Sequence, residues 1–290
     1  MNVVLKNFLA TILGALTLGL MLGMEPCKAL EELKVYRGVL VLEGKIVSGD
    51  YNKLRTFLGT KSNFDKISGG VFLASPGGSI IEALKIGHLI RALDLSTDAP
   101  SGPPPGRAKF GESVIRPNNL VNPRANYVCA SACFFVYVAG IYRNLDSVGR
   151  LGVHRPVQAE SNAKKFSDEQ VFELTWRVRD TIKNYVTEMN VPVKYVDLAY
   201  SVPPNELRWI TQEEFDTDLR GFIPELRDRI SAQCDPPKIE KTIAPSETAA
   251  SDKKKIVSVP AEKSIEAARC WMQVRTELPN EAWHKVFLGK

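Results

Sequence analysis

The chain has 290 residues, of which 44% are hydrophobic and 24% are charged, so it can bury a sizeable core as one large domain with appendages or as two small domains. Its net charge of +5 is spread along the whole sequence. Because no stripe of Lys and Arg stands out, this balance argues against nucleic acid as a partner.

The N-terminus has the pattern of a secretory signal peptide. Lys6 precedes an uncharged apolar run over residues 8–24, and Cys27 and Ala29 supply small residues two positions apart. We therefore predict that residues 1–29 are removed, which leaves Leu30 as the first residue of a periplasmic or secreted protein. The alternative is an inner-membrane anchor formed by residues 8–24, which would hold the protein close to a membrane.

The next part of the chain alternates predicted strands with predicted helices. Residues 38–48 and 71–73 are rich in β-branched and apolar side chains and are predicted strands. A glycine turn follows the second strand, and apolar spacing over residues 79–91 predicts a helix. This order is typical of a βα unit, so we expect an α/β fold. Residues 98–126 lack periodicity and form a predicted inserted loop, either a lid or substrate-binding arm or a tolerated surface insertion.

The second half contains a predicted buried helix and a long amphipathic one. The long helix is predicted to begin with a capping box of Ser167 and Gln170, and a shorter helix to begin at Thr211. The remaining predicted segments are a buried helix over 132–139, a strand over 148–153, the long helix over 167–189, a flexible linker over 233–264 and a helical tail over 265–290 that docks back.

Four cysteines remain after the predicted cleavage, and an exported protein can oxidise them. Cys129 and Cys133 lie around a predicted helix start, where two side chains of one regular helix are badly oriented for a bridge. We therefore predict a bridge between Cys234 and Cys270, while a pairing of either with Cys129 or Cys133 stays open. The cysteine spacing does not match a zinc site, and we expect no metal.

Three further features carry residues suited to acyl transfer. Residues 75–78 read Ser-Pro-Gly-Gly at a strand end, where glycines allow backbone N–H groups to approach a ligand. Ser131 lies among small residues at a helix start, where the positive helix end favours an adjacent oxyanion. His154 lies at the end of the next predicted strand. Each feature alone has a structural explanation, and a serine in such a place usually caps its helix.

In this order and spacing the motifs resemble the proteolytic subunit of Clp protease and its crotonase-fold relatives, including an exported Clp-like family. The resemblance runs from about Gly38 to about Phe222 and includes Trp209-Ile210-Thr211-Gln212-Glu213-Glu214. It implies an α/β domain over residues 30–232, built of repeated ββα units wound into a superhelix, with a flexible C-terminal extension.

The resemblance also implies roles for individual residues. Ser131 matches the nucleophile, His154 matches the general base, and the N–H groups of Gly77 and Ala132 match the oxyanion hole. It implies a serine peptidase that works through an acyl-enzyme without a cofactor, acts on peptides or unfolded proteins and assembles as a homo-oligomer. Export would separate it from ATP, so we expect an ATP-independent enzyme.

One departure from the family pattern concerns the group that orients the histidine. The aspartate expected shortly before Thr211 is replaced by Pro203. Asn205 could reach the imidazole as an amide does in some cysteine proteases, and Asp197 is a weaker substitute. The remaining reading is a Ser–His dyad.

Two other functions stay open at this point. A catalytically silent module could keep the pocket to bind a peptide or acyl ligand, and the missing aspartate favours that reading. A crotonase-type acyl-CoA enzyme is a third candidate, which export and the pairing of Ser131 with His154 both argue against.

Overall fold

The structure is a computed structural model that describes residues 30, 33–68, 70–99, 128–145, 150–157, 167–234 and 261–290. The predicted signal peptide and most of the predicted loop and linker lie outside these ranges. Within the ranges, no helix is both long enough and apolar enough to cross a membrane.

Short strands alternate with helices along the described chain. The strands are β1 Lys34–Tyr36, β2 Val39–Glu43, β3 Gly70–Ala74, β4 Thr97–Ala99, β5 Cys129–Ala130, β6 Tyr142–Leu145, β7 Leu151–Val153, β8 Arg208–Trp209 and β9 Gly221–Phe222. The helices are α1 Asp50–Gly59, α2 Lys61–Phe64, α3 Ile80–Ala92, α4 Ala132–Tyr137, α5 Asp168–Glu188, α6 Lys194–Ser201, α7 Gln212–Glu214 continuing as a π-helical turn Phe215–Leu219, α8 Pro224–Gln233 and α9 Ala261–Leu288.

The larger sheet has six strands in the order β1-β2-β3-β4-β6-β9. The four central strands are parallel, with Val41 opposite Phe72 and Thr97 opposite Arg143, and the two edge strands are antiparallel to their neighbours. Parallel strands need long crossovers, and α3 supplies one between β3 and β4. The sequence prediction of an α/β fold is confirmed in the form of a mixed α/β structure.

The smaller sheet has the order β5-β7-β8 and adjoins the larger sheet beyond the end of β3. Ala130 donates its N–H to the carbonyl oxygen of Ser75 at 3.0 Å, just beyond the end of β3. Because β5 also pairs with β7, this junction gathers the ends of three strands. The three motifs of the sequence analysis follow these strand ends.

The core forms around α4, whose side chains are all buried. Its aromatic residues pack against α5 and α6, where Tyr185 and Tyr195 are also buried. The Tyr185 hydroxyl donates to the Phe135 carbonyl at 2.6 Å, and the Tyr195 hydroxyl donates to Asp218 at 2.8 Å. Burial raises the pKa of both phenols, so they stay neutral donors inside the core.

The two predicted capping boxes are present, one at Ser167 and Gln170 and one at Thr211 and Glu214. The C-terminal helix α9 differs from the prediction because it begins at Ala261, within the predicted linker, and α8 occupies residues that carried no prediction. The tail docks as expected, since the Trp283 indole N–H donates to the Leu58 carbonyl at 2.8 Å.

The predicted Cys234–Cys270 bridge is confirmed and joins the end of α8 to α9. A second disulfide joins Cys129 to Cys133. Two disulfides indicate an oxidising, extracytoplasmic environment.

Candidate active site

Ser131 forms a sharp turn between β5 and α4. Its φ of 56° and ψ of −122° lie in a region that non-glycine residues rarely adopt, at a cost of about 1–3 kcal/mol. The backbone is fixed there because the Ser131 N–H donates to the Gly152 carbonyl at 2.9 Å and the Ser131 carbonyl accepts from Phe134 at 3.0 Å. Such a strand-to-helix turn presents a serine hydroxyl away from both elements.

The hydroxyl of Ser131 does not cap the helix that it precedes. This removes the simplest structural explanation for a serine at this position. Across the described ranges, the Ser131 side chain makes no hydrogen bond to another residue. Ser131 is only partly buried, so its unbonded hydroxyl is available to a ligand.

The expectation that Cys129 and Cys133 are badly oriented for a bridge was wrong. They form a disulfide with Cα atoms 5.1 Å apart, and both residues are fully buried. The reason is that Cys129 belongs to strand β5 rather than to the helix, and the turn at Ser131 redirects the chain between them. The bridge spans Ser131, and it removes both cysteines as thiol nucleophiles.

His154 follows β7 directly and lies beside the Ser131 turn. The register pairs Ala130 with Gly152, so the chain reaches Ser131 and His154 within two residues beyond that pair. No hydrogen bond joins the Ser131 and His154 side chains among the contacts of the described residues. The strand pairing brings the two residues together, but the predicted contact between their side chains is not made in this structure.

The hydrogen bond of the His154 ring decides its tautomer. Nδ1 lies 3.0 Å from the carbonyl oxygen of Arg155. A carbonyl oxygen can only accept, so in the neutral ring Nδ1 carries the proton and Nε2 keeps its lone pair. Arg155 is held in turn, because its N–H donates to Val202 at 3.1 Å and its Nε donates to Tyr200 at 2.9 Å.

Neither residue that was considered as an orienting group forms a hydrogen bond or ion pair with His154 among the described residues. Asp197 forms ion pairs with Arg179 at 2.7 Å and Lys183 at 3.6 Å, and the hydrogen bond from Arg179 lowers the pKa of its carboxyl group. Asn205 is exposed in a turn after α6 and makes no hydrogen bond within the described ranges. The Arg155 carbonyl holds the imidazole instead, a backbone contact that the sequence pattern does not reveal.

Gly77 packs directly against the Ser131 turn. A Cβ atom at Gly77 would lie 2.7 Å from the Ser131 Cβ and 3.0 Å from the Ala132 nitrogen, and Gly77 has a φ of 101°. Only glycine fits this position. The structure thus brings Gly77, Ser131 and Ala132 together.

The hydrogen bonds of this turn nevertheless change the choice of oxyanion donor. The Gly77 N–H donates to the Ser75 hydroxyl at 3.0 Å, which conflicts with its predicted role as a free donor. The N–H groups of Gly78 and Ala132 have no hydrogen-bond partner among the described residues. Gly78, the second glycine of the turn, is therefore a better candidate than Gly77 for the donor beside Ala132.

An apolar surface flanks the site on the side of β8. A Cβ atom at Gly152 would lie 2.9 Å from the Trp209 ring and 3.6 Å from Leu207 Cδ2, so both side chains cover the strand that pairs with the Ser131 turn. Trp209 is 38% exposed and Leu207 is 42% exposed. Partly exposed apolar side chains beside a reactive group are suited to contact a substrate.

The described residues contain no group of three or more His, Cys, Asp or Glu side chains that could hold a metal ion.

No protein-family model matches the chain, and no curated protein matches it at a significant level.

Proposed function

We propose that this chain is an exported serine peptidase that cleaves peptide bonds through an acyl-enzyme, without ATP or a cofactor. The observation that carries the proposal is the strained Ser131 turn, whose uncapped hydroxyl lies beside the unpaired N–H of Ala132 and beside the strand that leads to His154. A hydroxyl, a base and fixed donors at one point are the components of acyl transfer.

The proposed reaction follows from these positions. The Ser131 hydroxyl attacks the peptide carbonyl carbon while Nε2 of His154 takes its proton. The N–H groups of Ala132 and Gly78 stabilise the oxyanion of the tetrahedral intermediate. The C–N bond then breaks, and the amine leaves with the proton from His154. Water next attacks the acyl carbon while Nε2 of His154 takes a proton from it. The bond to the Ser131 oxygen breaks, the serine oxygen regains the proton, and the acid is released. The Arg155 carbonyl keeps the imidazole in the required tautomer.

The proposed framework is a domain of the Clp-protease and crotonase type, with repeated ββα units wound into a superhelix. The parallel strands β2, β3, β4 and β6, with the crossover helix α3 between two of them, support this choice. We further propose that the protein is periplasmic or secreted, which both disulfides support. Peptides or unfolded proteins are the proposed substrates.

We also propose a homo-oligomer in which the outer face of α5 takes part. Trp176 is 46% exposed on this long helix, and a large exposed aromatic side chain is suited to a protein contact. Sedimentation of the purified chain at several concentrations tests this part. A monomer at every concentration would contradict it.

A catalytically silent binding module on the same fold is the second candidate. The missing contact between Ser131 and His154 is the observation that favours it, because a hydroxyl without its base is a poor nucleophile at neutral pH. Hydrolysis of a fluorescein-labelled unfolded protein without ATP separates the two functions. The peptidase releases labelled fragments and loses this activity with Ser131→Ala, whereas the module binds the labelled protein and leaves it intact.

A further inference from the structure

Leu30 is buried in the structure, although it directly follows the predicted cleavage site. Its side chain is 3% exposed and lines an apolar pocket next to the Ser131 turn. The pocket lining includes Ile46, Leu73, Ile86 and Val136, with Ser75 and Cys133 beside them. Residues at a chain terminus are usually exposed unless specific contacts hold them.

The backbone of Leu30 lies between two charged side chains, Lys53 and Asp50. Its carbonyl oxygen accepts a hydrogen bond from Nζ of Lys53. Its nitrogen faces the carboxyl group of Asp50, whose pKa the Leu30 backbone acts to lower. The Asp50 side chain is only 4% exposed and also accepts from the Val47 N–H at 2.7 Å.

The charge on Asp50 is incompletely balanced where the Leu30 nitrogen is a neutral amide. Burial is the largest influence and raises the pKa of the Asp50 carboxyl group, and the nearby carboxylate of Glu82 adds to that rise. Lys53 and the two backbone donors act in the opposite direction. A buried carboxylate is most stable beside a full positive charge with well-placed donors.

We propose that this pocket is a binding site for a free α-amino terminus at Leu30, with Asp50 as its counter-ion and Lys53 as the donor to its carbonyl oxygen. A signal peptidase hydrolyses the Ala29–Leu30 peptide bond by adding water, which leaves a carboxylate on Ala29 and an ammonium group on Leu30. The ammonium group stays where the amide was, facing Asp50. The inference rests on the predicted cleavage and does not depend on the proposed peptidase activity.

Docking of the terminus also stabilises the glycine turn of the candidate active site. Asp50 holds the N–H of Val47, and the preceding residue, Ile46, is bonded to that turn on both sides. The Ile46 N–H donates to the Gly77 carbonyl at 2.8 Å, and the Ile46 carbonyl accepts from Ser79 at 2.8 Å. Removal of residues 1–29 is thereby coupled to the order of the turn beside Ser131.

Two chains test the proposal, one beginning at Leu30 and one beginning at Lys28, so that the native residues Lys28 and Ala29 keep the Leu30 nitrogen as an amide. The chain with the free amine is expected to melt about 5 °C or more above the other, because a buried ion pair is intact only there. Asp50→Asn removes the difference. The control Asp65→Asn, an exposed carboxylate paired with Lys61, leaves the difference unchanged.

A second readout follows the amine itself. An amine-reactive ester at neutral pH is expected to label Leu30 at least about tenfold more slowly in the parent chain than in Asp50→Asn, since an ion pair worth about 1.4 kcal/mol suppresses the free amine that much. Where Asp50→Asn does not fold, the urea-unfolded parent chain replaces it as the reference. Equal melting temperatures or equal labelling rates overturn the proposal. Neither readout requires catalysis, so failure of the peptidase proposal would leave both unaffected.

Discussion

The disulfide between Cys129 and Cys133 bridges the two sides of Ser131, the residue with the most strained backbone at the candidate site. One cysteine ends a strand and the other opens a helix, so the bridge fixes the angle between the two elements. It lies under the turn, where both sulfur atoms are buried. The position of the Ser131 hydroxyl thus depends on a covalent ring as well as on hydrogen bonds.

Removal of this bridge should lower the reactivity of Ser131 more than it lowers the stability of the fold. The double variant Cys129→Ala/Cys133→Ala is expected to react with an active-site probe at least about tenfold more slowly, because the strained turn can relax. Its matched control is Cys234→Ala/Cys270→Ala, which opens a loop of 36 residues and should lose about 4 kcal/mol of unfolding free energy while it keeps its reactivity. Equal reactivity of the two double variants would show that the Cys129–Cys133 bridge does not position Ser131.

Gly77→Ala should block the site by direct contact. The new methyl group would lie 2.7 Å from the Ser131 Cβ and from the Ala130 carbonyl oxygen, so the turn must move. We expect loss of hydrolysis and a marked fall in melting temperature. Gly221→Ala is the control for backbone conformation, since Gly221 has a φ of 91° with nothing within 4 Å of a Cβ, and it should cost only about 1–2 kcal/mol. Full activity of folded Gly77→Ala would contradict the close packing.

Trp209→Ala should weaken the selection of substrates with large apolar side chains. The indole covers Gly152 next to the Ser131 turn and is partly exposed, so it can contact a bound chain. We expect kcat/KM for apolar peptides to fall by about 10-fold or more, with a smaller change for small polar ones. Trp271, on α9 and exposed to the same degree, is the matched control. Steady-state kinetics on a peptide series decides, and a uniform loss across the series would argue against a substrate contact.

Acid should destabilise the fold partly through Glu214. Burial works to raise the pKa of this carboxyl group, but the two hydrogen bonds from Arg208 at 2.6 Å and the N–H of Thr211 lower it overall. A lowered folded-state pKa gives stability that is complete above the ordinary value of 4.5 and is lost as pH falls through the folded value. Glu214→Gln should therefore flatten the acid limb of the stability curve measured by urea unfolding. The exposed neighbour Glu213→Gln should leave that limb unchanged.

The helix boundaries could be predicted where local chemistry sets them. Ser167 with Gln170 and Thr211 with Glu214 are capping boxes whose partners are three residues apart, so the sequence alone identifies both helix starts. The strands that were missed, such as Arg208–Trp209, have two to four residues and exist only because distant segments pair with them. A run that short carries no periodicity.

The contacts of the candidate site were predictable in part. The motif order located Ser131, His154 and the glycine turn, and strand pairing places these segments side by side. The disulfide across Ser131 was not predictable, because it depends on a positive φ at a residue type that seldom adopts one. The hydrogen bonds from Gly77 to Ser75 and from His154 to the Arg155 carbonyl were equally unpredictable from the sequence, since they depend on the detailed path of the chain.

The central claim is that Ser131 is an activated nucleophile, and mass-spectrometric mapping of a fluorophosphonate adduct tests it most directly. We predict one adduct, on Ser131, in the purified chain with both disulfides intact. His154→Gln should form it at least about 100-fold more slowly, because the amide cannot take the hydroxyl proton. A folded, fully oxidised chain that carries no adduct on Ser131, or one whose labelling does not respond to His154→Gln, would contradict the claim.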